Sequence, residues 1–262
     1  MKNKSLFSAL MFSYFASSAV FLPYFTLYLS KSFSFSEIGI LMAITPMAMI
    51  IFQPFWARIS DKLGTKRTLL LTLSGVLLST MGLIFACSFF EFLIVLSLYA
   101  FCTTPILSLI DRIILTNHSK QYGRIRLWGS IGYGVSIFLS GLFKSYILGF
   151  WSFIIHILTL FVTLLITIKI SNPQSIKEAH KVNKKSEKKG YFYYKNKKFI
   201  VMMFSSLIIG MTMKANDTFF AVGLSNLSVS DFWLGSSWIF GIIPEIIVFY
   251  LLDKHAKRIS SW

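Results

Sequence analysis

The residues most able to do chemistry in this 262-residue sequence are ionisable groups set inside long apolar runs. Glu245 follows Pro244 in Phe240-Gly-Ile-Ile-Pro-Glu-Ile-Ile247, and Lys214, Asn216 and Asp217 sit within Met211-Thr-Met-Lys-Ala-Asn-Asp-Thr-Phe219. An ion near the centre of a membrane helix costs roughly 2.5–3.5 kcal/mol on the insertion scale. Lys214 and Asp217, three residues apart, share a helix face and partly neutralise each other. Glu245 has no such neighbour, so it must be protonated, paired across helices or exposed to a water cavity. A carboxyl in such surroundings is the kind of group proton coupling requires.

Arg126, Ser130 and Tyr133 are spaced by four and three residues and fall on one helix face. Arginine keeps its charge and offers five donors, which suits carboxylate or hydroxyl ligands. Around it, Gly129, Gly132, Gly134 and Ser136 leave a smooth surface for a neighbouring backbone. The bland alternative has Arg126 snorkelling at the membrane mouth and Tyr133 as packing. Asp111 and Arg112 read either as a weak rim ion pair or with Asp111 facing Arg126 from the adjacent helix. His156, Cys87 and Cys102 read as packing residues, and no metal-ligand spacing occurs.

The elements that must position these groups follow from composition. With 55% hydrophobic and only 14% charged residues, against about one quarter charged in soluble domains, the chain is an all-α polytopic membrane protein. Spans need about 20 apolar residues, and eight segments qualify: Leu6–Leu29, Ile38–Trp56, Thr68–Cys87, Phe92–Leu115, Leu127–Leu148, Trp151–Ile170, Phe199–Leu224 and Phe232–Leu252. Pro23, Pro46, Pro105 and Pro244 fall inside spans, where neighbours or water can satisfy the freed carbonyls. The expected organisation is six helices over residues 1–170, a basic connector over 171–198, and two helices with a tail over 199–262. The connector carries little apolar surface before Tyr191-Phe-Tyr-Tyr194 and cannot fold alone.

The formal net charge of +16 is distributed by side rather than along a nucleic-acid groove. With the N-terminus inside, all of the 26 basic residues except Lys31, Lys144 and Lys214 fall on the cytoplasmic side. This bias places both termini in the cytoplasm. No glycine-rich phosphate loop, zinc spacing or Gly-x-Ser-x-Gly elbow is present, so no enzyme, cofactor or ATP-driven pump is expected.

Between the second and third spans lies Trp56-Ala-Arg-Ile-Ser-Asp-Lys-Leu-Gly-Thr-Lys-Arg67. Its carboxylate at a helix end, with cations across a glycine turn, can latch helices through charge-assisted bonds. The segment resembles the matching loop of major facilitator superfamily transporters, with Ala57 where the family pattern has glycine. Tyr122-Gly-Arg-Ile-Arg-Leu-Trp-Gly-Ser-Ile-Gly-Tyr-Gly134, Phe52-Gln-Pro-Phe55, Leu22-Pro-Tyr-Phe-Thr-Leu-Tyr-Leu29 and Pro244-Glu245 resemble the lactose permease and phenylpropionate transporter branch.

The resemblance implies a six-helix first half plus two helices of an incomplete second half, since such transporters pair two six-helix halves. It implies solute binding by Arg126, Tyr133, Asp111 and Glu245, and proton coupling by Glu245 with Lys214, Asn216 and Asp217. Asp61, Lys62, Gly64, Lys66 and Arg67 would form a gating loop. The acidic residue of the branch near Asp111 follows a proline matching Pro105; a sugar-binding glutamate one turn earlier is replaced by an apolar residue, which argues away from a galactoside. The expected function is proton symport of a small polar or anionic organic solute, such as a sugar, nucleoside or aromatic acid, by alternating access at the plasma membrane. The alternative is a truncated, transport-inactive fragment or a chain that associates with another membrane protein. Self-association is the route by which so short a chain would work.

Overall fold

The computed structural model describes residues 2–143, 149–170, 197–227 and 229–259. They form helices α1 (Lys2–Leu29), α2 (Phe35–Leu63), α3 (Thr65–Phe85), α4 (Phe89–Thr103), α5 (Ile106–His118), α6 (Tyr122–Leu142), α7 (Phe150–Lys169), α8 (Lys197–Asn226) and α9 (Asp231–Ile259). Nearly all of the lysine-rich connector, with Tyr191–Tyr194, lies outside the described residues, as do Lys144 and residues 260–262.

The apolar segments become helices that run on into their polar flanks. The fourth departs from expectation: instead of one helix over Phe92–Leu115, α4 ends at Thr103 and α5 restarts at Ile106. Pro105 has no N–H to give the carbonyl of Phe101, four residues back, so the ladder breaks there. The Trp56 indole Nε1 donates to that same carbonyl at 2.8 Å, as buried backbone acceptors require. Pro23, Pro46, Pro54 and Pro244 remain inside continuous helices.

Two of the far-end turns are sealed by side chains. Ser34 and Ser88 each head a capping box with Glu37 and Glu91, the carboxylates accepting backbone N–H groups at 2.7–3.0 Å. At the opposite, basic end, Gly64 joins α2 to α3 with φ of 90°, a conformation that disfavours any Cβ.

α1 runs through the middle, packed against α6, α7 and α8, while α3 leans on α4 and α7, and α9 lies along α6. Phe21 stacks on Phe25 at 4.9 Å and meets Phe153 edge-on at 5.6 Å. His156, 2% exposed, lies flat on Phe21 at 4.4 Å. Its Nδ1–H donates to the Ser17 carbonyl at 2.9 Å, which leaves Nε2 to accept from Tyr99 Oη at 3.4 Å. On α1, one turn before Ser17, Ser13 accepts from Thr163 at 3.0 Å. Lipid tails are as apolar as these rings, so close packing and interhelical bonds hold the bundle, each polar bond contributing roughly 0.6–2 kcal/mol.

Closeness is set at two glycine crossings. A Cβ on Gly132 of α6 would lie 2.5 Å from the Phe12 carbonyl oxygen of α1, and one on Gly235 of α9 would lie 2.8 Å from Gly141 Cα of α6. Cys102 is buried with its sulfur in the notch beside Gly75, and Cys87 is exposed. The first half of α8 turns Ile200, Phe204, Leu207 and Met211 outward, as suits a helix face bathed in lipid. These apolar spans make the chain a multi-pass membrane protein.

Candidate functional site

One stripe of α6 gathers the polar groups. Tyr122, Arg126, Ser130 and Tyr133 climb it at helical spacing, and each meets a different element. Tyr122 donates from its hydroxyl to Asp111 of α5 at 3.1 Å. The Arg126 guanidinium lies 4.3 Å above the Phe15 ring of α1, a cation–π placement. It stands close enough to Asp111, Tyr122 and Tyr14 for its charge to act on all three. Ser130 donates to Glu245 of α9 at 3.1 Å. Asp217 and Glu245 both act electrostatically on Tyr133.

Above this stripe, away from the basic end, Tyr133 meets Trp238 edge-on at 6.4 Å, and Phe220 meets Trp238 at 5.1 Å. Tyr133, Trp238, Lys214 and Asp217, with Pro23 and Met42, line a cavity of about 40 Å³, room for about one water. The buried Trp238 Nε1 has no hydrogen-bond partner among the described residues. Asp217, Asn216 and Glu245 remain exposed on the bundle surface, whereas Lys214 and Arg126 are half-buried.

The basic end differs from the sequence expectation. Asp61 does not reach across its own glycine turn; it accepts from Arg112 of α5 at 2.9 Å, and Ser60 lies 3.4 Å from the same nitrogen. Lys66 donates to the Ile168 carbonyl at the end of α7, at 2.9 Å, where a helix leaves carbonyls unsatisfied. Lys62 and Arg67 are exposed. The rim-pair reading of Asp111 with Arg112 is also corrected. Consecutive helix positions point about 100° apart, and the two residues serve different neighbours, Tyr122 and Asp61.

Sequence reasoning missed Tyr122, Phe15, Trp238 and Trp56. Tyr122 was legible as the residue one turn before Arg126. Phe15 and Trp238 look like any other aromatic in an apolar run, and nothing local marks them. No cluster of three or more metal-ligating side chains occurs among the described residues.

Comparison with known proteins identifies the family. The model of the MFS_1 like family matches residues 5–262. The chain is 28% identical over 233 residues to the uncharacterized transporter YwbF of Bacillus subtilis (strain 168), covering 86% of this chain and 57% of that protein. It is 27% identical over 168 residues to the maltose permease of Geobacillus stearothermophilus, covering 60% of this chain and 42% of the permease. A crystal structure of a mutant of the nucleoside transporter NupG superposes with a TM-score of 0.79 at 18% identity, over 95% of this chain and 66% of that one. The chain thus spans about half the length, or less, of these curated relatives. The matched model, the relatives and the fold together place this multi-pass chain in the MFS_1 like family of major facilitator proteins.

Proposed function

We propose that this chain forms the solute-binding part of a secondary transporter that moves a small polar or anionic organic solute together with a proton. The observation that carries the reading is the α6 stripe. It sets Arg126, Ser130 and Tyr133 against Asp111, Glu245 and Asp217, drawn from helices far apart in sequence. Arg126 would take the solute's carboxylate or hydroxyls, and Tyr133 would offer it an aromatic face. With Lys214 and Asn216, the site holds two cations and three carboxyl groups. It reaches neutrality only when one carboxyl is protonated, and Glu245, whose bond to Ser130 joins two helices, is the one assigned to the proton. Sugar and nucleoside transporters among its relatives and structural neighbours fit that solute class.

In this reading, which the charge bias supports, both termini lie in the cytoplasm of a plasma-membrane protein, with residues 1–170 as a six-helix unit, 171–198 as connector and 199–262 beginning a second unit. The Asp61–Arg112 pair would hold the cytoplasmic gate. Uptake of labelled sugars, nucleosides and aromatic acids into sealed vesicles under an imposed proton gradient tests the reading. Gradient-dependent uptake lost in Glu245→Gln is the expected result; uptake indifferent to that change overturns the coupling role.

The outward apolar face of α8 favours one second reading, in which the chain transports only after associating with further helices seated there. Uptake restored by co-expressing the remaining length of a full-length relative, and absent without it, selects this alternative.

A further inference from the structure

The break between α4 and α5 is bridged by α2 at two points, one on each side of Pro105. On the α4 side, Trp56 donates its indole N–H to the Phe101 carbonyl at 2.8 Å and packs its ring 5.0 Å from Phe101. On the α5 side, Asp61 pairs with Arg112 at 2.9 Å. Trp56 is 4% exposed, and Phe101 O is the acceptor that a proline four residues later leaves without its helical donor. A carbonyl orphaned in a membrane interior costs several kcal/mol, so a donor fixed at that spot decides where the broken helix rests. The residue beside Arg112 on α5 is Asp111, which accepts from the Tyr122 hydroxyl of α6 at 3.1 Å.

We infer that Trp56 is a positioning residue: by replacing the hydrogen bond that Pro105 removes, it sets the angle at which α5 presents Asp111 to Tyr122 on the α6 stripe. This rests on the solute-site reading only for what Asp111 does there, and not for the anchoring of α5. The geometry makes Trp56 and Pro105 interdependent. Where residue 105 carries an N–H, the helix ladder satisfies Phe101 itself and the indole donor becomes dispensable.

The test is a double-mutant cycle with Trp56→Phe, which keeps an aromatic ring and removes the donor, and Pro105→Ala, which returns the backbone N–H. Amide hydrogen exchange over Ile106–His118 is followed in the purified chain in lipid nanodiscs. Expected is faster exchange by about tenfold in Trp56→Phe, the loss of one buried hydrogen bond, and little further change when Trp56→Phe is added to Pro105→Ala. If Trp56→Phe alone fails to fold, folding of the double variant is the same rescue, and failure of both overturns the proposal. Equal effects in the two backgrounds, or none in either, also overturn it, the first by making Trp56 mere packing. Exchange needs no solute, so the clamp stands or falls on rescue whether or not uptake is measurable, and the two readings fail separately.

Discussion

His156 and Glu245 are both polar residues inside apolar helices, yet they live in different regions of the molecule. His156 is enclosed among α1, α4 and α7, with both ring nitrogens engaged by Ser17 and Tyr99 and its face against Phe21. Glu245 lies where α9 meets α6, exposed, with Ser130 as its hydrogen-bond partner. The cost of a polar group in the membrane is offset in the first case by a closed network. In the second it is left open to whatever enters. A satisfied polar residue stabilises the bundle; an available one is free to change partners.

That contrast can be broken at four places. The largest effect is expected at Glu245→Gln, which should reduce proton-driven uptake to the level of empty vesicles while leaving the thermal unfolding midpoint near that of the parent. A large loss of stability would move Glu245 into the same class as His156. His156→Ala should do the reverse, costing about 3 kcal/mol by opening a cavity and removing the ring's hydrogen bonds to Ser17 and Tyr99. Uptake per folded molecule should hold, and its loss would make the histidine part of transport.

Gly132→Ala sharpens the line between the two regions. Its methyl group meets backbone rather than a movable side chain, so roughly 1–3 kcal/mol of overpacking strain is expected in a denaturation series. A neutral result would show that α1 and α6 yield to each other. The smallest effect belongs to Asp61→Asn, which breaks a pair whose two members, Arg112 and Asp61, are 36% and 44% exposed. Screening by water and headgroups limits that pair to about 0–1 kcal/mol. A change in solute-driven gating without a change in stability would single out the latch.

The helices were legible because membrane length and charge bias are local properties of the chain, and the α6 stripe because i, i+4 and i+7 need no partner to be counted. Glu245 and Asp217 stood out for the same reason, as expensive residues in apolar runs. The partners were not legible. Arg112 could have met Asp111 next door; it met Asp61, 51 positions earlier, because the rotation of α5 decides which neighbour is in reach. That rotation depends on Pro105 and on Trp56, a residue whose sequence position says nothing of the carbonyl it serves. Phe15 beneath Arg126 and Trp238 beside Tyr133 depend in the same way on how whole helices are turned.

The two glycine crossings of α6 have a mechanical consequence. At Gly132 the helix is seated against the α1 backbone, and at its far end Gly141 meets Gly235 of α9. From Gly141 to Ser130 is eleven residues, about 16 Å of lever arm. A tilt of α9 by about 10° around that fulcrum would swing Glu245 roughly 3 Å from Ser130, enough to part a hydrogen bond. With such a tilt the far end would stay closed while the basic end parted, and its travel would be read in one contact.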